Sequence, residues 1–467
     1  MMISELRRIR SEIRELAADR ILAVLDDDPT GSQSVRGVQV VTVFEENDYR
    51  AALAENPAAV FVLTNTRGLP EGEAVALNTR IARQLFEVAK ESGRELDLVS
   101  RSDSTLRGHV IAELQALDAA RRAALGNGFD AILIAPAFFE AGRTTAGDIH
   151  RVRVDDVDIP AGETEYARDK TFGYRSSDLK EFLAEKSHDA IAPQDVRSLS
   201  LDDIRDGGPD RVAELLVGLR GGGGTYVVVN GECDEDYDIV ALGVARARAA
   251  GTAIVARCGP SFVRALAGIE PGEPLRPAEI WPDGRRSGHG LVVVGSHVSG
   301  TTLQVERLRA RVGVRELELE TSRVLASDAE RDAHVAEVGA AAAAGLMEGS
   351  VLVCTSRELV SGVDADASLR IARRMSDALT AVARLALAAR PAWVIAKGGI
   401  TSHEVAATGF GVRRAEVVGQ LGRGIISLFR PLDARPEAVG MPYVVFAGNV
   451  GGPESLADVV ELLDVNP

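Results

Sequence analysis

A short apolar, β-rich run that ends in a polar or glycine cluster and leads into an amphipathic helix recurs through this whole chain. That unit restricts the fold more than any other feature, because repeated β-then-α segments pack as a parallel sheet covered by helices. In the first half the runs are Ile21–Leu25, Val60–Thr64, Leu96–Ser100, Ala131–Ala135, Thr225–Asn230 and Ile254–Ala256, with helices expected at Glu71–Glu91 and Leu106–Leu125. In the second half they are Leu291–Val294, Val351–Val353, Trp393–Ala396 and Tyr443–Phe446, with helices expected at Ala367–Ala389 and Glu454–Leu463. No fixed period links the units, so the chain is not a solenoid. Its 467 residues exceed what one core holds, about 250–300 residues. The expectation is an α/β protein of two domains, 1–255 and 256–467, each a largely parallel sheet flanked by helices. The Pro-, Gly- and charge-rich stretch Gly268–Gly290 is the expected linker.

Composition removes several functions. Lys and Arg number 53 against 69 Asp and Glu, a formal charge of −16 that repels phosphate backbones and argues against nucleic-acid partners. Three cysteines, Cys233, Cys258 and Cys354, make neither a disulfide framework nor a zinc spacing, which points to a reducing cytoplasm. The amino terminus has the charged pattern of a helix rather than a signal peptide, and no apolar run is long enough to span a membrane.

In open α/β sheets, ligands sit beyond the carboxyl ends of the strands, so the residues there carry the chemistry. Asp26-Asp27-Asp28-Pro29-Thr30-Gly31 follows the first strand. Three adjacent carboxylates repel one another; such a cluster serves as a base or metal ligand, or else as a solvated turn that caps a helix. Later strand ends bring Arg67, then Arg101-Ser102-Asp103-Ser104-Thr105-Leu106-Arg107-Gly108-His109, and then Gly142-Arg143-Thr144-Thr145 in a stretch that reads as loop. Arg67 and Arg101 suit a carboxylate held in two-pronged fashion, and the aspartates suit hydroxyl hydrogens. Together they suggest a small polyhydroxy acid. His150 has no evident catalytic partner and reads more readily as structural.

The second half repeats glycine-rich turns before helices: Gly295-Ser296-His297, Lys397-Gly398-Gly399-Ile400-Thr401-Ser402 and Ala447-Gly448-Asn449-Val450-Gly451-Gly452. Glycines let backbone N–H groups approach a phosphate, so three such turns suggest a nucleotide cradle; each alone is an ordinary βα connection. Lys397, one of only five lysines, is either a point charge for that cradle or a solvated side chain. GxxxxGK[ST], a strand-linked GxGxxG, HExxH and GxSxG are all missing, which removes Walker-type enzymes and lowers the case for a dehydrogenase.

From about Ile21 to Leu463 the ordered motifs resemble the four-carbon acid sugar kinases, formerly a domain of unknown function. The carrying residues are Asp27-Asp28-Pro29-Thr30-Gly31, Asn65-Thr66-Arg67, Ser102-Asp103-Ser104-Thr105-Leu106-Arg107-Gly108, Pro136-Ala137-Phe138, Thr164-Glu165-Tyr166-Ala167-Arg168-Asp169, Gly295-Ser296, Gly398–Ser402 and Gly448–Gly452. Arg101 stands where the family usually has Lys, and His297-Val298 where Cys-Ser is typical. The resemblance implies an ATP- and Mg²⁺-dependent kinase for the terminal hydroxyl of threonate, erythronate or an oxo-tetronate. It implies substrate contacts from Asp27, Asp28, Arg67, Arg101, Ser102, Asp103 and Ser104. It implies nucleotide contacts from Ser296, Gly398, Gly399, Ile400, Thr401, Ser402, Gly448 and Asn449. Asp27 or Asp28 is the expected base; no metal ligand is assigned. A non-catalytic sugar-acid sensor and a dehydrogenase or aldolase-like enzyme on the same acids are the alternatives. The expected partners are small molecules, with neither nucleic acid nor membrane, and a homodimer is the commonest assembly for such a chain.

Overall fold

The structure is a computed structural model that describes residues 3–28, 31–32, 34–154, 156–284, 287–357, 360, 365–422, 426–448 and 450–464. The chain divides into two units, Met1–Gly272 and Glu273–Pro467. The expected boundary at 255 falls inside a strand of the first unit. That strand is paired on both sides, and the buried helix Pro260–Leu266 follows it in the same unit. The expected linker is also shorter than its composition suggests, because Leu275, Ile280 and Trp281 belong to the core of the second unit.

The first unit contains β1 (Arg20–Asp26), β2 (Val38–Val41), β3 (Val60–Leu63), β4 (Glu95–Arg101), β5 (Ala131–Ala135), β6 (Arg143–Ala146), β7 (Ile149–Val154), β8 (Val157–Pro160), β9 (Arg197–Leu199), β10 (Thr225–Val229) and β11 (Ile254–Cys258). Eight of these form a parallel sheet in the order β2-β3-β1-β4-β11-β5-β10-β9. Their continuous apolar runs fit strands buried on both faces. From β1 the chain fills one side with β3 and the other with β4, so the topological switch lies between β1 and β4. The stretch that read as loop is strand β6, which pairs antiparallel with β7, as β7 does with β8. Its Arg-Thr-Thr sequence carries no apolar alternation, and the hairpin partner supplies the hydrogen bonds that make it a strand.

The helix expected to begin at Leu106 begins at Val110. Leu106 and Gly108 both have positive φ, +69° and +116°, which a helix cannot accept. The amino-terminal helix Ile3–Leu16 presents Leu6, Ile9 and Ile13 at helical spacing and packs on the helix Asp234–Ala249. Buried ion pairs pin it: Asp238 accepts from Arg10 Nε at 2.9 Å and from Arg264 Nη1 at 3.0 Å.

The second unit contains β12 (Leu291–Val294), β13 (Arg315–Leu319), β14 (Val351–Thr355), β15 (Val394–Lys397), β16 (Arg414–Gly422), β17 (Ile426–Asp433) and β18 (Tyr443–Phe446). Their order is β13-β14-β12-β15-β18-β17-β16. The first five are parallel, and β17 runs antiparallel to both β18 and β16. Both units are thus mixed α/β with mostly parallel sheets. Among the described residues no helix is long and apolar enough to cross a membrane.

Asp238 is fully buried between two arginines. Its replacement by Ala leaves the buried Arg10 without a counter-charge and Arg264 with Asp234 alone, so Asp238→Ala is expected to destabilise the first unit by about 3–5 kcal/mol. A urea titration followed by circular dichroism reads this as a lower midpoint.

Candidate functional site

The carboxyl ends of β1, β3, β4 and β11 converge on one cluster of charge. Asp26 closes β1 and is fully buried. Its Oδ1 accepts from Arg101 Nη1 at 2.9 Å and from the Asp28 N–H at 3.1 Å. Burial pushes its pKa up to about 6; the Arg101 charge opposes this and Asp28 adds to it. Gly31 lies against this carboxylate so closely that a Cβ there would sit 2.0 Å from Asp26 Oδ2. The glycine is therefore required by space.

Asp27 is also buried, and neither carboxylate oxygen has a hydrogen-bond partner among the described residues. Arg101 Nη1 lies 3.9 Å from one oxygen and Arg257 Nη2 lies 4.0 Å from the other. Burial pushes Asp27 up to about 7, against the pull of Arg67 and with a further push from Glu113. Asp28 is different: its carboxylate is gripped by Arg67.

Arg67 also reaches Asp103 at 3.6 Å. Asp103 accepts from Arg107 Nε at 2.6 Å and from the Thr105 N–H at 3.1 Å. Burial would raise its pKa, but Arg67, Arg107 and Arg143 together outweigh that and hold it well below the usual carboxylate range. Ser104 Oγ accepts from Arg143, and the buried Ser102 N–H donates to the Cys258 carbonyl at 2.9 Å. Tyr166 lies under the guanidinium groups of Arg107 and Arg143, at 5.3 and 5.8 Å from its ring centroid.

The structure therefore brings Asp27, Asp28, Arg67, Arg101, Asp103 and Ser104 together, but it gives the two expected arginines different surroundings. Arg67 remains partly exposed, whereas Arg101 is buried against Asp26. His150 has both ring nitrogens engaged. Nε2 donates to the Ser104 carbonyl at 2.8 Å, which leaves Nδ1 to accept from Thr145 Oγ1 at 3.0 Å. Burial lowers its pKa to about 4, so it is a neutral brace for the Ser104 turn.

Sequence reasoning missed Arg257 and Glu113. Arg257 lies inside the buried strand β11 and donates to Glu113 Oε2 at 2.7 Å and to Ser100 Oγ at 2.9 Å. Glu113, in the first turn of the helix Val110–Leu125, also accepts from Thr66 Oγ1 at 2.6 Å. A lone Arg within the apolar run Ile254–Cys258 was the available signal. Gly108 allows this crowding, since a Cβ there would lie 3.0 Å from Asp27 Oδ2.

In the second unit the turns after β12, β15 and β18 also meet. Thr301 Oγ1 donates to the Gly448 carbonyl at 2.9 Å and lies 3.1 Å from Ser296 Oγ. Gly398 has φ +124°, and a Cβ there would sit 3.1 Å from Thr401 Oγ1. Gly399, Ile400, Thr401 and Ser402 form the short helix Gly399–Glu404. Ser402 faces inward, with Oγ donating to the Ala396 carbonyl at 2.7 Å. Asn449 lies outside the described residues, as do Pro29 and Thr30. Lys397 is neither solvated nor free. It is buried, and its Nζ donates to the carbonyls of Ala447 at 2.8 Å and Val450 at 3.2 Å, 3.7 Å from the centroid of the Phe446 ring. Burial lowers its pKa to about 7. Beside these turns is a cavity of about 360 Å³, lined by Gly295, His297, Thr401 and the apolar stripe Ile371, Met375 and Leu379.

Comparison with known proteins follows the same division. Residues 22–266 match a sugar-binding N-terminal domain, and residues 291–456 match a nucleotide-binding C-terminal domain. A Haemophilus influenzae protein of the DUF1537 group is similar in structure, with a TM-score of 0.65 at 18% identity over 95% of this chain and 100% of that one. A Salmonella typhimurium LT2 protein that carries the provisional name of tRNA synthase gives a TM-score of 0.70 at 17% identity, over 96% and 99%. At these identities the likeness is one of fold. No curated protein matches the chain.

Arg101 is the near counter-charge of Asp26, so Arg101→Met should cost roughly 3–5 kcal/mol at neutral pH. Asp26 has a folded pKa raised above its unfolded value, so the folded state binds more protons and stability falls as pH rises between the two. Loss of Arg101 strengthens that trend. The deficit in chemical denaturation is expected to be largest near pH 8 and to shrink toward pH 5.

Proposed function

Because the chain belongs to the four-carbon acid sugar kinase family, we propose that it transfers the γ-phosphoryl group of ATP to the terminal hydroxyl of a four-carbon sugar acid of the threonate, erythronate or oxo-tetronate type. The first domain holds the acid and the second holds the nucleotide. The observation that carries this reading is Asp27: a buried carboxylate with two unpartnered oxygens and a pKa near 7, among cations and close to a second, permanently ionised carboxylate. Buried acceptors without partners are costly, so a hydroxyl that donates to Asp27 is favoured there. A base with a pKa near the working pH is also the efficient one.

In this mechanism Asp27 accepts the proton of the primary hydroxyl as that oxygen bonds to the γ-phosphorus, and the bond from phosphorus to the ADP oxygen breaks. Asp28 is tied to Arg67 and orients that cation rather than acting as base. Arg67 and Arg107, both partly exposed, supply the fork for the acid's carboxylate. Asp103, ionised throughout, accepts hydroxyl hydrogens beside Ser102 and Ser104. Arg101 acts through Asp26, whose position it holds. In the second domain the backbone of Gly398–Ser402 and Gly448, with Ser296 and Asn449, takes the phosphates, and the stripe Ile371, Met375 and Leu379 accepts the base. Among the described residues no three His, Cys, Asp or Glu side chains form a metal site. Mg²⁺ would accompany the nucleotide and neutralise phosphate charge when bound.

A coupled ADP-release assay with Mg-ATP against both threonates, both erythronates and the 2- and 3-oxo acids should show turnover with one of them. Silence across that panel would remove the four-carbon assignment. With the active acid, kcat/KM should rise with pH through about 7, because Asp27 must be ionised to accept the proton. Asp27→Asn should lower kcat by roughly 10²–10⁴-fold and flatten that limb. An Asp27→Asn protein with full turnover would exclude Asp27 as the base.

A further inference from the structure

A second pocket lies at the opposite end of the first unit's sheet from the charged site. It has a volume of about 250 Å³, below the roughly 300 Å³ at which pockets for drug-sized ligands begin. Its walls come from the carboxyl end of the amino-terminal helix, the amino ends of β1 and β4, and the helix Asp234–Ala249. Part of the lining is apolar, including Leu16, Ala245 and Leu266. The rest is dominated by arginine: Arg14, Arg20, Arg94 and Arg248 line it, against one carboxylate, Asp97.

How those arginines are held is the informative part. Most arginines of this chain are tied to Asp or Glu. Here Asp97 is taken up by Arg20, through Nε at 2.7 Å and Nη2 at 2.6 Å, and Glu95 caps the remaining nitrogen of Arg20 from outside. Arg14, Arg94 and Arg248 are each anchored by one N–H to a backbone carbonyl: Gly268, Arg20 and Ile254 respectively. A carbonyl fixes a guanidinium in place without neutralising it. Among the described residues neither Arg14 nor Arg94 has a carboxylate within ion-pair distance. Arg248 touches Asp97 only through Nε at 3.3 Å, an ion contact without a hydrogen bond. Arg248 is 6% exposed, and burial lowers its pKa. Arg248 is buried with no hydrogen bond at its Nε, which is costly unless an anion shares it, while the exposed Arg14 and the half-buried Arg94 hold spare donors at the pocket rim.

We propose that this pocket binds a small oxyanion, a phosphate or carboxylate on a short apolar body, as a second ligand of the first unit. Arg14, Arg94 and Arg248 hold its oxygens, and Leu16, Ala245 and Leu266 cover its body. The inference stands independently of the kinase reading, because it uses none of the residues of that site. It also gives the amino-terminal helix a task beyond packing, since that helix builds one wall. Strands β1 and β4 run from this pocket to the charged site: Arg20 and Asp26 are the two ends of β1, and Asp97 and Arg101 lie along β4.

The test is amide hydrogen exchange by mass spectrometry on the full chain, with inorganic phosphate in one arm and succinate in the other. At a concentration about nine times the dissociation constant, exchange in segments 12–22 and 92–98 should slow by roughly tenfold. The arm that protects identifies the class of anion. The double variant Arg14→Ser, Arg94→Ser removes two side chains from the pocket rim and should abolish that protection while keeping the unliganded exchange pattern of the rest of the chain. No slowing in these segments with either probe, or equal slowing in the double variant, would overturn the proposal.

Discussion

Parallel pairing of the strands is the constraint on which the rest of this molecule depends. A parallel sheet sends every strand in the same direction, so all carboxyl ends share one edge and all amino ends share the other. The helices that return the chain cover both faces and leave only the edges for polar groups. Charge that the sequence scatters from Asp26 to Arg257 is thereby gathered at one edge of the first unit. The same rule gathers the turns after β12, β15 and β18 in the second unit.

Gathering charge at a buried edge creates its own difficulty, which the first unit resolves by graded pairing. Asp26 has Arg101 at hydrogen-bond distance, Asp28 has Arg67, and Glu113 has Arg257. Asp103 has three arginines around it and stays ionised. Asp27 alone of these carboxylates has its cations at about 4 Å and no hydrogen bond. The arginines that hold Asp26 and Asp28 are thus spent on those partners, which leaves Asp27 without a hydrogen bond among the described residues. Lys397 in the second unit follows the same logic in reverse, since its cation is spent on two carbonyls that shape the turn after β18.

Much of this was legible in the residues. The apolar runs marked the central strands because a strand buried on both faces must be continuously apolar. The polar clusters after them marked the site because nothing in a packed sheet requires three aspartates or an Arg-Ser-Asp-Ser run. The features that escaped are those whose identity depends on a partner distant in sequence. Strand β6 becomes a strand only through β7, and β2 and β9 are short elements whose pairing defines them. Arg257 gains its role only where β11 lies beside β4, since there it meets Glu113 and approaches Asp27.

The sequence by itself therefore determined the α/β class, the division between a sugar-binding and a nucleotide-binding half, and most of the charged residues that meet beyond β1 and β4. Those follow from periodicity and from the local cost of placing charge beside apolar strands. Tertiary structure alone decided how the charges pair. It assigned Arg101 to Asp26 and Arg67 to Asp28, turned His150 and Lys397 into internal braces, and assembled four arginines into a pocket at the far edge of the sheet. Electrostatic energy depends on distances between side chains and on their burial. Neither quantity exists in a linear chain until strands far apart in sequence have been laid side by side.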